Sequence, residues 1–174
     1  MSVEYADYSL RVFMEKASKQ PWFDNTLFVF VADHGAAMDG TYEMSLDYNH
    51  TPLLFYAPKI ITKPKVIASF AGQIDVFPTI MGLLKQPFIN NTLGVDLFQH
   101  KRPYIYFNGD NKYGVIDENW FLIVRADKTK LLYKYKSKDR KNYAIDFPEV
   151  VRRMETYGAS NMQACQHILA TGKQ

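Results

Sequence analysis

A single cysteine, Cys165, among 174 residues excludes any internal disulfide, and cysteine usage reports no redox compartment. Long apolar runs are also missing, since none approaches the roughly 20 residues that a bilayer crossing requires. The opening "MSVEYADYSL" has neither a basic n-region nor an apolar h-region, so it does not read as a signal peptide. Net charge is only +3, with 47% apolar and 22% charged residues, which excludes an intrinsically disordered chain. By itself the chain is expected to be soluble and long enough for one domain with a sizeable core.

Basic residues are scattered except in "KTKLLYKYKSKDRK", residues 128–141. There Lys alternates with Leu and Tyr as in a half-exposed strand or hairpin. No recognition motif accompanies the run, so no nucleic-acid partner is expected.

Leu10, Phe13, Met14 and Ala17 recur at helical spacing and predict an amphipathic helix over residues 4–18, broken by Pro21 and Asn25. Residues 26–32 are apolar on both faces, as in a central parallel strand covered on each side. A loop is expected from Gly35 to Asn49, then a second buried strand over 51–58. "IDVFPTIMGLLK" reads as a helix start with Asp75 as N-cap and Pro78 in the first turn.

Beyond Arg102, "PYIYFN", "KYGVID", "NWFLIVRAD" and "KLLYKYK" predict a small antiparallel sheet with turns at "FNGDNKYG" and "RADKTK". The tail from Pro148 reads as helical, divided at Gly158 and stopped by Gly172. The order strand, loop, strand, helix is α/β grammar. Residues 1–100 are expected to form the α/β core and 101–174 the antiparallel sheet and terminal helices packed on it.

The chemistry is expected where the first strand ends. Asp33 and His34 sit side by side there, with Gly35 behind them. In open α/β sheets ligands bind beyond strand ends, and carboxylate oxygen with neutral imidazole nitrogen suits a divalent ion. A glycine lets the chain leave without a Cβ clash. The alternative is an Asp capping a following helix, with His34 a polar loop residue. Among the other histidines, His100 and His167 read as surface residues.

"WFDNTLFVFVADHG" resembles the strand and metal loop of the alkaline phosphatase/sulfatase superfamily. The resemblance continues through "NHTPLLFYAP", the Asp-x-x-Pro-Thr helix start in "AGQIDVFPTIMGLL", the turn "NNTLGVDLF" and the sheet in "GVIDENWFLIVRADKTKLLYKYKSKD". It covers residues 4–140 and is most similar in style to lipoteichoic acid synthase-like phosphoglycerol transferases. The implied fold is part of an α/β/α sandwich with a mainly parallel sheet, plus a small C-terminal antiparallel sheet.

The resemblance implies that Asp33 and His34 are two ligands of a divalent metal, manganese or zinc, or calcium in a sulfatase. His50 stands near the transferred phosphoryl or sulfuryl group, to bind a non-bridging oxygen or protonate a leaving alkoxide. A His opening a buried strand is also often a hydrogen-bonded residue only. Asp75 is assigned to capping rather than catalysis.

By the same resemblance, the nucleophile and an acidic ligand come from an N-terminal half that this sequence does not contain. No Cys-x-Pro-x-Arg or Ser-x-Pro-x-Arg occurs, and Cys165 is followed by Gln, His and Ile. The chain is therefore expected to be the C-terminal portion of a metal-dependent phosphoglycerol transferase, inactive alone. Alternatives are a sulfatase or phosphodiesterase of the same superfamily, or a non-catalytic module binding a glycopolymer through Tyr104, Tyr106, Phe107 and Trp120. Expected partners are the missing half, a lipid or glycan bearing phosphoglycerol or sulfate, and a second copy paired through an exposed sheet edge. The parent is expected to be membrane-anchored with an extracytoplasmic catalytic domain.

Overall fold

The structure, a computed structural model, describes residues 2–38 and 40–171. Gly172, the expected helix stop, lies outside them. Two compact units are present: Met1–Ala36 with Asp47–Ile67, and Ala37–Leu46 with Ala68–Gln174. No described helix is long and apolar enough to cross a membrane.

In the first unit, helix α1 (Ser2–Ala17) follows the expected 3.6-residue spacing and ends before a 3-10 turn at Phe23–Asn25. Strand β1 (Phe28–Val31) then packs Phe28 among Phe13, Trp22, Phe23 and Tyr56, with ring centroids 5.3 to 6.3 Å away. Each such contact contributes about 0.5–1.5 kcal/mol beyond area burial. Leu10 and Phe13 stay 43% and 49% exposed, so the apolar stripe of α1 is only partly covered.

The sequence predicts a parallel neighbour for β1, and here the structure differs. β1 pairs antiparallel with β2 (Leu53–Tyr56), Phe28 opposite Tyr56 and Val31 opposite Leu53. A parallel pair needs a crossover that carries the chain back along the strand, usually a full helix. The connection here contains one helical turn, α2 (Leu46–Asn49), and returns to the end of β1 through a Gly35 N–H bond to the Tyr48 carbonyl. β2 must therefore start where β1 stops. β1 and β2 have no further described strand on either side, and Val31, Leu54 and Tyr56 remain exposed. The class is nonetheless mixed α/β, with antiparallel sheets.

The second unit contains the expected antiparallel sheet, β3 (Ile105–Gly109), β4 (Lys112–Ile116), β5 (Phe121–Arg125) and β6 (Lys130–Tyr133), in that order. Asp110 and Asn111 make the two-residue β3–β4 turn, with Asn111 in the left-handed region at φ 52°. β5 is apolar at every core position because both of its faces are covered. Leu122 and Val124 meet Val115, Leu132, Val151 and Met154, whereas Phe121 and Ile123 meet Met44, Ile116 and Tyr133. Tyr104, Tyr106 and Trp120 pack on the first cluster and Phe107 on the second, so they serve as sheet core.

Of the basic run, only residues 130–133 are strand. Residues 135–137 form a 3-10 turn and Lys138 is left-handed at φ 53°. The alternation expected over the whole run therefore fails beyond Tyr133.

Gly158 does not divide the tail, which is one helix, α4 (Pro148–Thr171). A Cβ at Gly158 would come within 2.6 Å of Tyr113 Cε2 and 2.9 Å of Val115 Cγ2. The glycine is thus a close-packing residue that lets α4 lie on β4.

Helix α3 (Val76–Leu83) begins after Asp75, but the Asp75 side chain does not cap it. The fully buried carboxylate accepts from Gly72 N–H and Val95 N–H, each at 2.8 Å, and pairs with Arg102 Nε at 2.6 Å. Arg102, its side chain 8% exposed, also reaches Tyr157 Oη on α4 and the Leu93 carbonyl. Burial disfavours the guanidinium cation, but hydrogen bonding and charge attraction from Asp75, together with the Tyr157 contact, outweigh it and raise its pKa. Thr79 completes the motif, its hydroxyl donating to the Asp75 carbonyl and accepting from Leu97 N–H. Asp-x-x-Pro-Thr here is a structural clasp.

Two outcomes are expected in urea denaturation. Asp75→Ala should cost about 3–5 kcal/mol, as for one partner of a buried ion pair, whereas a loss of 2 kcal/mol or less would match a mere cap (about 0.5–2 kcal/mol). Gly158→Ala should destabilise by about 1–3 kcal/mol through overpacking, against the gain of about 1 kcal/mol that helix propensity alone would give.

Candidate metal site at the end of the first strand

The site is built by a bend after β1 and by the α2 turn that docks against it. Asp33 Oδ1 accepts from the His34 N–H at 2.8 Å, which fixes the carboxylate over the bend. His34 Nδ1 lies 2.9 Å from the Gly35 carbonyl oxygen. A carbonyl only accepts, so Nδ1 carries a proton, and in the neutral ring Nε2 then holds the lone pair. That nitrogen faces Asp33 Oδ2 at 3.6 Å.

Gly35 is required for this arrangement. The position its Cβ would occupy overlaps the Asp47 carbonyl oxygen and lies 3.2 Å from the His50 carbonyl oxygen. The Gly35 N–H donates to the Tyr48 carbonyl at 2.8 Å, so two loop segments run backbone to backbone. The approach brings the Tyr48 ring over the His34 imidazole, with centroids 4.5 Å apart and planes 18° from parallel.

The Asp33 and His34 side chains are thus held facing each other. Their side chains are 87% and 50% exposed. His50 follows α2, its backbone beside Gly35 and its side chain exposed. Among the described residues no three His, Cys, Asp or Glu side chains gather as a metal-binding group. Tyr48 escapes sequence reasoning, because nothing local in "LDYNH" tells that a loop 13 residues away returns beneath it.

The remaining histidines lie elsewhere. His100 lines an open groove of about 680 Å³ between α3 and the following loop, where Asp96 is engaged by Phe98 N–H and Gln99 Nε2. His167 is exposed on α4. Both are surface residues, as expected.

The Sulfatase family model matches residues 1–86. Among curated proteins, an N-acetylgalactosamine-6-O-sulfatase from Bacteroides thetaiotaomicron is 23% identical over 85% of this chain and 38% of its own length. The lipoteichoic acid synthase-like protein YvgJ of Bacillus subtilis is 26% identical over 48% of this chain and 16% of its own length. The chain therefore spans well under half the length of either relative. A crystal structure of a Vibrio parahaemolyticus protein in the alkaline phosphatase superfamily superposes with a TM-score of 0.78 at 24% identity, over 95% of this chain and 41% of that one. Residues 1–86, just under half of this chain, thus match the Sulfatase family model, and the chain shares the fold of a protein in the alkaline phosphatase superfamily.

Proposed function

We propose that Asp33 and His34 are two ligands of a divalent metal in an enzyme that transfers a phosphoryl group, of the phosphoglycerol type, and that the remaining ligands and the nucleophile lie outside these residues. The observation that carries this reading is the His34 tautomer, with Nδ1–H tied to Gly35 and Nε2 turned toward Asp33 Oδ2. With the ring neutral, two electron-rich atoms face each other there, an arrangement that a shared cation stabilises. Ligands on one ion at about 2.0–2.2 Å each stand no more than about 4.4 Å apart, and the separation here is 3.6 Å. A second hydrogen bond from the far imidazole nitrogen is how metal-bound histidines are usually oriented.

The two side chains leave a four-coordinate ion two ligands short, and their exposure suits a surface that further residues close over. The chain spans 38% of the sulfatase it matches, leaving ample length in such a protein for those residues. The open β1–β2 pair, with Val31, Leu54 and Tyr56 exposed, is where the completing strands would add.

When bound, the ion would activate the nucleophile and neutralise charge on the transferred group. His34 presents its lone pair with the ring face held by Tyr48. Asp33 supplies the anionic ligand. His50, on the segment that Gly35 clasps, contacts the transferred group or protonates the leaving alkoxide.

A second reading, hydrolysis of a sulfate ester, is favoured by the match of residues 1–86 to the Sulfatase family and by the longer alignment with the N-acetylgalactosamine-6-O-sulfatase. Release of p-nitrophenol from its sulfate ester by the complete enzyme would select this reading. Transfer of glycerol phosphate from phosphatidylglycerol would select the first.

Titration calorimetry of the chain with manganese and zinc tests the ligands directly. Binding should be micromolar or weaker, and Asp33→Ala/His34→Ala should abolish it. Tyr48→Ala should weaken it by about tenfold, the scale of a lost orienting contact. Equal metal binding by the double variant would remove the ligand assignment.

A further inference from the structure

Outside the metal loop, the strongest unassigned feature lies where the basic run leaves β6. The Lys134 ammonium sits over three rings, 5.5 Å from the Trp120 centroid, 4.7 Å from Tyr143 and 5.6 Å from Phe147. The rings form a box of their own, with centroid separations of 4.7 Å (Trp120–Phe147), 6.0 Å (Trp120–Tyr143) and 6.1 Å (Tyr143–Phe147). Each ring attracts the cation through its quadrupole without neutralising it. Lys134 is therefore held in place while its full charge remains.

Neighbouring cations differ in this respect. Lys130 is paired with Glu155 and Lys141 with Asp146. No carboxylate lies within ion-pair distance of Lys134, Lys136 or Arg140 among the described residues, and all three are exposed. Asp139, the one acid among residues 134–141, is hydrogen-bonded by the Tyr143 hydroxyl and the Lys141 N–H, and attracts Lys134 only through space. The 3-10 turn at Tyr135–Ser137 and the left-handed Lys138 break the strand, so the cations follow a tight surface turn.

We propose that this turn binds an anionic glycan carrying sulfate or phosphate esters, with Lys134, Lys136 and Arg140 contacting the ester oxygens. The proposal extends the ester chemistry suggested above to a polymeric substrate, but it concerns a separate site and needs no metal. The rings gather around the Lys134 ammonium at 4.7 to 5.6 Å from their centroids, unlike the projecting apolar wedge that a lipid interface takes. The chain's net charge of +3 and pI of about 8.8 fall short of a basic nucleic-acid-binding domain. A glycan with spaced ester groups needs only a few fixed cations.

Affinity electrophoresis of the chain in gels containing dextran sulfate tests this without metal or turnover. Dextran sulfate should retard the chain, neutral dextran should not, and affinity should fall as salt rises. Lys134→Gln/Lys136→Gln/Arg140→Gln should weaken binding by about tenfold or more, the scale of several lost ester contacts. Phe147→Leu, which opens the box and leaves the charge unchanged, should also weaken it. The charge-matched Lys19→Gln/Lys63→Gln/Lys65→Gln should change it little. Circular dichroism checks that each variant is folded. Equal losses in the two triple variants, equal retardation by dextran, or tighter binding to phosphatidylglycerol vesicles or a DNA duplex would overturn the proposal. Dextran sulfate binding with no metal binding would leave this site standing while the metal reading fell, and the reverse result would do the opposite.

Discussion

The close approach of Gly35 to the Asp47 carbonyl is the constraint on which the candidate site depends. No side chain fits between the two segments, so the bend carrying Asp33 and His34 lies directly on the turn carrying Tyr48 and His50. The proximity sets the His34 tautomer through the Gly35 carbonyl and places an aromatic face against the imidazole. It also decides the direction of β2. A chain pinned to the end of β1 starts its next strand there, and the pair is antiparallel. Local backbone sterics thus set both the orientation of a candidate ligand and the topology around it.

The second unit is organised by a different interaction, the buried pair of Asp75 and Arg102. Desolvating two charges is unfavourable unless every oxygen and N–H finds a partner. Here Gly72, Val95, Leu93 and Tyr157 supply partners around the pair. The start of α3, the 93–97 turn and α4 are thereby tied to one point. An acid in such a motif invites a catalytic reading, yet its burial and complete engagement mark it as a clasp. By contrast, Asp33 and His34 are exposed and turned toward each other.

Much of this was legible in the sequence. The Asp-His-Gly stop after an apolar strand, the four-strand meander and the terminal helix follow from patterns within a dozen residues, and the structure contains them. The features that escaped depend on distant partners. Asp75 reads as a cap because Arg102 stands 27 residues away. Gly158 reads as a helix break because Tyr113 and Val115, which fill the space beside it, lie on another element. The apolar run at 26–32 reads as a central parallel strand because apolar composition carries no strand direction, which the returning α2 turn sets. Tyr48 carried no signal at all. The basic run misled in another way, since alternation continued past Tyr133 while the backbone turned.

The most direct measurement follows the four histidine imidazole resonances of the chain by NMR during a manganese titration, because the paramagnetic ion broadens nearby protons first. The predicted result is early, selective loss of the His34 signal at substoichiometric metal, with His100 and His167 unaffected until much later. Simultaneous broadening of all four, or earlier loss at His100 or His167, would contradict a metal held by His34 and Asp33.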